Sequence, residues 1–308
     1  MPRPRVAYLG PAGTFTEQAL VEVPWLADHE RVPLASMSDV LFAVHDGDVE
    51  VGIVAIENAI EGTVNVTIDS LAFDVDVQIV DEVVLSVRMD LLGRPGARLE
   101  EIKKVLSIPV ASAQCRTWLR SHLPHATSGV TSSTAEAAEL VASLGDPSVA
   151  AIANPRAGEV YGLDALATDI EDHSENKTRF VVIARQGVPA PTGHDKTSLV
   201  VFQRADVPGS LLAILQEFAA RSINLTLLLS RPTKSALGEY CFVIDLEGHV
   251  ADEVVADCLR RLKATQADVK VLGSYPAAGH HGEALRREAD AAAEAAQEWL
   301  AGLRAQID

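Results

Sequence analysis

The chain has 308 residues, 48% of them hydrophobic, which suits about two domains with packed cores and excludes a disordered or fibrous polymer. With 43 acidic residues against 26 basic ones the formal net charge is −17, so the long-range field repels phosphate backbones and anionic lipid and argues against a nucleic-acid partner. An anionic substrate therefore needs a local cluster of donors. The start, from Met1 to Gly10, is basic, but its apolar run is too short for a signal-peptide core. No run of roughly 18 apolar residues is present to span a membrane. Cys115, Cys241 and Cys258 are odd in number, far apart and without C-x-x-C spacing, which suits small buried thiols in a reducing, cytoplasmic setting and offers no metal site.

Along the first 185 residues short apolar strands alternate with amphipathic helices. Val6 to Leu9 reads as a strand and Gly10 to Gly13 as a turn, with Thr14 or Thr16 capping a helix through Val23 and Glu17 completing a capping-box pattern. Val51 to Ile56 reads as a buried strand leading to a polar turn at Glu57-Asn58. Further strands are expected near Val77 to Val87, Lys104 to Ile108, Val149 to Ala153 and Arg179 to Ala184, with helices over Ala111 to His122 and Ser133 to Ser143. Such alternation implies an α/β fold with largely parallel sheets and ligands at the carboxyl ends of strands.

Residues 186–196 form the expected linker, since Gln186 to His194 holds two prolines and two glycines without periodicity. Beyond it the order strand, helix, strand, strand, helix, strand over residues 197–276 is the βαββαβ unit of ferredoxin-like domains. Its first helix is expected from Pro208, with Asp206 near the N-cap. The tail, residues 283–307, places Leu285, Ala289, Ala292, Ala296, Trp299, Leu300, Leu303 and Ile307 on one helical stripe. That helix is expected to dock on its own or a partner chain rather than on a membrane, because its other face is rich in Glu.

Four segments that follow or border strands offer chemistry. Gly10 to Thr16 joins a flexible turn, the hydroxyls of Thr14 and Thr16 and a helix N-terminus, where free N–H groups attract a carboxylate. Ile56 to Thr63 sets Glu57, Asn58, Gly62 and Thr63 directly after a strand. Ser107 to Cys115 offers Ser107 and Gln114 as neutral hydrogen-bonding groups. Glu175 to Phe180 puts the hydroxyl of Thr178 between Lys177 and Arg179, whose charges suit an anionic substrate and a leaving oxygen. Each segment alone also reads as an ordinary turn, cap or charged loop.

Taken together and in this order, the segments resemble the prephenate dehydratase family. Gly10 to Phe15 is similar to its G-P-x-G-T-F/Y motif, Ile56 to Gly62 to I-E-N-x-x-x-G, Ser107 to Cys115 to S-x-P-x-x-x-x-Q-C, and Thr178-Arg179-Phe180 to T-R-F. The C-terminal module is similar to the ACT domains that follow the catalytic region in this family. The resemblance implies a two-lobed catalytic region over residues 3–185, like a type 2 periplasmic binding protein, and conversion of prephenate to phenylpyruvate, water and carbon dioxide without metal or cofactor. It assigns Thr178 to donate a proton or hydrogen bond to the leaving hydroxyl, with Glu57 as an alternative proton source if burial favours its protonated form. Asn58, Ser107 and Gln114 are expected to hydrogen-bond substrate, Arg179 and the Thr14 to Thr16 helix terminus to hold its carboxylates, and Thr63 and Phe180 to complete the set.

In the ACT-like module, Gly209-Ser210-Leu211-Leu212 stands in the place of the family's G-A-L-V, and Leu229-Ser230-Arg231-Pro232 in that of E-S-R-P. The resemblance implies a phenylalanine site lined by Gly209, Ser210, Leu211, Leu212, Ser230, Arg231 and Pro232 between subunits, hence feedback inhibition and a homodimer or homotetramer. Leu229 departs from the family glutamate and removes an acceptor there. The rival readings are an arogenate dehydratase and a non-catalytic sensor of aromatic metabolites.

Overall fold

A computed structural model describes residues 3–205, 207–233, 239–266 and 268–278, together with Trp299, Gly302 and Arg304. The chain divides into two compact units, Met1–Thr67 with Val83–Val181, and Ile68–Glu82 with Val182–Asp308.

The chain enters through β1 (Arg5–Leu9) and α1 (Phe15–Val21), which Thr14 caps by accepting from the Glu17 N–H at 3.3 Å. The capping box is displaced by one residue, since the Glu17 carboxylate accepts from the Gly13 N–H at 2.5 Å rather than from Thr14. β2 (Glu30–Leu34) has no buried residue, so its periodicity is silent; parallel pairing with β1 makes it a strand. α2 (Met37–Asp46) begins at the Ser36 cap and stops at Gly47, whose φ of +83° favours glycine. β3 (Val51–Asn58) is nearly continuous in its burial, as a central parallel strand should be. It runs through Glu57 and Asn58, expected to be a turn, because β4 (Gly62–Thr63) folds back to pair with them. α3 (Asn65–Asp69) and β5 (Gln78–Ser86) follow.

A second sheet begins with β6 (Asp90–Gly93) and β7 (Lys104–Ser107). The single helix expected next is two, α4 (Pro109–Gln114) and α5 (Arg116–His122), separated at Cys115, whose φ and ψ of −110° and 13° leave the helical region. Then come β8 (Thr127–Val130), α6 (Thr134–Leu144) capped by Ser133, β9 (Val149–Ala153), α7 (Pro155–Tyr161) capped by Asn154, and β10 (Asp164–Ala167). This sheet has the order β10-β6-β9-β7-β8 and is mixed: β7 is parallel to β8 and β9, while β6 is antiparallel to β9 and β10. Leu91, Ile102, Cys115, Ala150 and Ile152 fill one of its cores. β11 (Lys177–Ala184) lies next to β3 in the first sheet, giving the order β11-β3-β1-β2. The first unit thus holds two α/β layers, each with polar segments at strand ends.

In the second unit β12 (Asp195–Phe202), α8 (Ser210–Ala219), β13 (Leu225–Pro232), β14 (Tyr240–Glu247), α9 (Glu253–Thr265) and β15 (Asp268–Pro276) form the expected βαββαβ module, with antiparallel order β13-β14-β12-β15. One face buries Leu199, Val201, Ile244 and Leu246 against Ile214, Phe218, Cys258 and Leu262 of the two helices. α8 starts at Ser210 rather than Pro208, since Gly209 is the N-cap at φ +89°; Asp206 lies outside the described residues. So does the helix expected over 283–307, apart from Trp299, Gly302 and Arg304, which are helical and exposed. Among the described residues no helix is long and apolar enough to cross a membrane.

Candidate active site

The side-chain amide of Asn58, the last residue of β3, organises the region where β3 meets the start of β11. Its Oδ1 accepts from the backbone N–H groups of Ile60 at 2.9 Å and Glu61 at 2.8 Å. Its Nδ2 donates to Thr178 Oγ1 at 2.8 Å, Asn176 Oδ1 at 2.9 Å and the Lys177 carbonyl at 3.3 Å. Backbone donors on one side and a carbonyl on the other allow only this amide orientation. Thr178 therefore accepts from Asn58, and its own hydroxyl proton is left for another partner. Asn176, only 3% exposed, extends the chain by donating to Gln114 Oε1 at 3.4 Å, while its carbonyl accepts from the Val87 N–H at 2.9 Å.

The pleat decides which charges reach this cluster. Neighbours in a strand point to opposite faces, so Asn58 and Thr178 share one face of the β3–β11 pair, and Glu57 and Arg179 share the other. Accordingly Arg179 Nη1 stands 3.9 Å from Glu57 Oε2, with the guanidinium side chain 9% exposed and the carboxylate side chain 43% exposed. Two expectations change. Thr178 is not flanked by Arg179 on its own face, and Glu57 lacks the burial on which its role as an alternative proton donor depended.

The other expected residues occupy more structural positions. Ser107 is fully buried at the end of β7 and donates to the Ile152 carbonyl at 2.9 Å, so its proton is committed to the sheet. Thr14 donates to the Leu9 carbonyl at 2.8 Å while capping α1, and Thr16 is buried in the first helical turn. Thr63 sits opposite Glu57 in the β3–β4 pair, and Phe180 is a core residue on the strand face that carries Thr178. Asn176, which no sequence motif singles out, joins the cluster because it stands two positions before Thr178, the spacing that puts both on one face of an extended chain.

An ion-pair network around the buried Glu17 carboxylate holds the turn from Gly10 to Thr16. Glu17 Oε1 lies 3.1 Å from both Arg31 Nη1 and Arg156 Nη2, and the Tyr161 hydroxyl donates to the Ala12 carbonyl at 2.9 Å. Burial would raise the Glu17 pKa, but the Gly13 N–H and the Arg156 and Arg31 guanidinium groups outweigh it and hold the carboxyl below its ordinary value. Gly13, at φ +84°, leaves room for Ala157 and Tyr161, because a Cβ there would stand 3.1 Å from each. α1 of the first layer is thereby tied to α7 of the second.

An interstrand Asn–Thr pair with a buried Asn and a Gln behind it is a neutral device for orienting a hydroxyl, and comparison with known proteins gives it a context. The family model described as prephenate dehydratase matches residues 6–188, and the ACT domain model matches 197–264. The chain belongs to the prephenate dehydratase family. It is an enzyme of that family with an ACT regulatory domain. The prephenate dehydratase of Mycobacterium tuberculosis is 43% identical over 312 aligned residues, covering 98% of this chain and 94% of that one. Among solved structures, the Arthrobacter aurescens prephenate dehydratase in complex with L-Phe has a TM-score of 0.85 at 38% identity, covering 97% of this chain and 99% of that one. GqqA, described as a novel type of quorum quenching acylase, has a TM-score of 0.78 at 28% identity over 89% of this chain and 98% of that one.

Within the ACT domain the two segments expected to hold an effector begin α8 and end β13. Gly209 and Leu212 are exposed, Leu211 packs partly on the core, and Ser210 Oγ donates to Gln203 Oε1 at 3.0 Å. Ser230 and Pro232 are exposed, but the Arg231 guanidinium between them is engaged with Asp69.

Proposed function

We propose that residues 3–185 convert prephenate to phenylpyruvate, with loss of water and carbon dioxide, and that residues 197–276 regulate this step in response to L-phenylalanine. The observation that carries the catalytic part is the hydrogen bond from Asn58 Nδ2 to Thr178 Oγ1 at 2.8 Å. An oxygen that already accepts a strong hydrogen bond is a better donor through its own proton, and here that proton is the group to be aimed at the ring hydroxyl of prephenate. As the C–O bond breaks, the electrons of the bond to the ring carboxylate move into the ring, carbon dioxide leaves, and the departing hydroxyl takes up a proton from solvent to become water. Aromatisation drives the reaction, so orientation and hydrogen bonding suffice; such assistance is worth about 10²- to 10⁴-fold in rate. Gln114 supplies a neutral amide toward the substrate, Asn58 orients Thr178, and Asn176 holds both in place.

The regulatory part is supported by the match of residues 197–264 to the ACT domain and by the L-Phe complex of the Arthrobacter relative. An effector inhibits only if it prefers one of two conformations, so the proposal includes a less active state that phenylalanine stabilises. A site shared between subunits makes a homodimer or homotetramer the working assembly. The test is formation of phenylpyruvate by the purified protein from prephenate, measured with and without phenylalanine and repeated with arogenate. Because a neighbour of this fold is described as an acylase, the assay on prephenate rather than fold likeness carries the decision. Absence of phenylpyruvate overturns the catalytic reading, and absence of phenylalanine binding by calorimetry overturns the effector reading.

A further inference from the structure

The ACT sheet has two faces, and its helices cover only one. The register places Arg231 opposite Cys241, Phe202 opposite Cys241 on the other side, Lys270 opposite Val200, and Lys196 opposite Tyr275, all on the face away from the Leu199–Val201–Ile244 core. These side chains hold residues 68–82, a segment that the prephenate dehydratase match includes but that the fold counts with the second compact unit. Arg231 donates through Nε and Nη2 to the two Asp69 oxygens at 2.8 and 2.9 Å. Lys270 Nζ donates to the Leu71 and Val75 carbonyls at 2.8 and 2.7 Å, and the Phe73 and Phe202 rings meet edge to face at 6.3 Å. Lys196 Nζ closes the series on Glu82 at 2.8 and 3.0 Å.

Both ends of this strap lead into the Asn58 cluster. Upstream, α3 carries Thr67 two residues before Asp69, and Thr67 Oγ1 donates to the Ala55 carbonyl of β3 at 2.7 Å, three residues before Asn58. Downstream, β5 runs out to Val87, whose N–H donates to the Asn176 carbonyl at 2.9 Å. A bidentate, half-buried Arg–carboxylate pair tolerates little displacement, because separating it leaves charges poorly solvated. Arg231 is flanked by Ser230 and Pro232 of the segment proposed to sense phenylalanine.

We infer that residues 68–82 are the strap through which the ACT sheet positions the catalytic turn, with Asp69 as a positioning residue held by Arg231. The regulatory consequence rests on the function proposed above; the positioning itself does not. A shift of β13 drags Asp69, and with it the Thr67–Ala55 bond and the Asn58 amide that orients Thr178.

The experiment compares wild type with Asp69→Asn and, as a control, Arg221→Met, which breaks an ion pair with Glu217 and Asp257 inside the same domain. Hydrogen exchange at the Ile60 and Glu61 amides, which donate to Asn58, is expected to quicken at least about tenfold in Asp69→Asn and to stay near wild type in Arg221→Met. Inhibition by saturating phenylalanine is expected to weaken at least about fivefold in Asp69→Asn, while its calorimetric Kd changes less than about threefold. Unchanged exchange at Ile60 and Glu61, or an equal change in Arg221→Met, overturns the proposal. A wild type that ignores phenylalanine or prephenate removes the corresponding functional reading alone, and the exchange data still decide the strap. Should Asp69→Asn not fold, Asp69→Glu, which keeps the charge and moves it by a methylene, is read in the same way.

Discussion

Asn58 Nδ2 stands 2.8 Å from Thr178 Oγ1 across the β3–β11 pair, and the donor is fixed because its own Oδ1 is held by the Ile60 and Glu61 amides. Thr178 is thus an acceptor toward Asn58, and under the proposed function its own proton is the donor toward prephenate. Replacing Thr178 by Ala removes the donor without touching the core, so turnover of prephenate is expected to fall at least about a hundredfold with an unchanged melting temperature. Thr178→Ser keeps the hydroxyl and should retain activity within about tenfold. Near-normal turnover by the alanine variant, measured as phenylpyruvate formed, removes Thr178 from the mechanism.

Asn58→Asp tests the direction of that bond. An ionised aspartate only accepts, so the Lys177 carbonyl and Asn176 Oδ1 lose their donor and a negative charge enters the place of an anionic substrate. The unsatisfied groups cost about 1–3 kcal/mol each in stability, while the added charge and the lost orientation of Thr178 are expected to lower kcat/KM on the order of 10²-fold or more. Steady-state kinetics at neutral pH check this, and an aspartate variant with normal kcat/KM means that Thr178 is oriented by something else.

Ser107 gives the opposite forecast. Its hydroxyl is fully buried and bonded to the Ile152 carbonyl at 2.9 Å, which stabilises the β7–β9 pair instead of facing a ligand. Ser107→Ala should cost about 1 kcal/mol in urea unfolding and change kcat/KM by less than about tenfold. A hundredfold loss of kcat/KM with intact stability would return Ser107 to the substrate contacts.

Strand-borne residues were legible in the sequence to the extent that their environment is local. Asn58 and Thr178 stood out as polar groups bordering apolar strands, and the βαββαβ order of the ACT domain follows from alternation alone. Which groups pair was not legible, because it depends on the phase of the pleat and on β3 lying next to β11, both set by tertiary packing. That is why sequence order alone sets Arg179 beside Thr178 and gives no sign of Asn176. β2 was invisible because none of its residues is buried, and the break at Cys115 because Ala111 to His122 keeps a helical period across it. The strap at 68–82 carries no motif, and its role emerges only from the lysines and arginine that meet it.

The network under the Gly10–Thr16 turn sets an acid limit on stability. The Glu17 carboxyl is depressed below its ordinary value: burial opposes this, but the Gly13 N–H and the Arg156 and Arg31 guanidinium groups prevail. A depressed native pKa means that the folded state binds fewer protons than the unfolded one, so the contribution is complete above the unfolded value of about 4.5 and is lost as pH falls through the native value. Glu17→Gln preserves shape while removing the charge. With the arginine side chains 32% and 26% exposed, solvent screening reduces the cost of breaking the pair from the 3–5 kcal/mol of a fully buried one to on the order of 1–3 kcal/mol at pH 7. Urea unfolding of both proteins between pH 7 and pH 3 should show a constant stability difference down to about pH 5 and a shrinking one below it, since protonated Glu17 no longer differs in charge from glutamine. A difference that stays level across the whole range would assign the acid sensitivity to other carboxylates and leave the turn held chiefly by the Tyr161–Ala12 bond and the packing of Gly13 on Ala157.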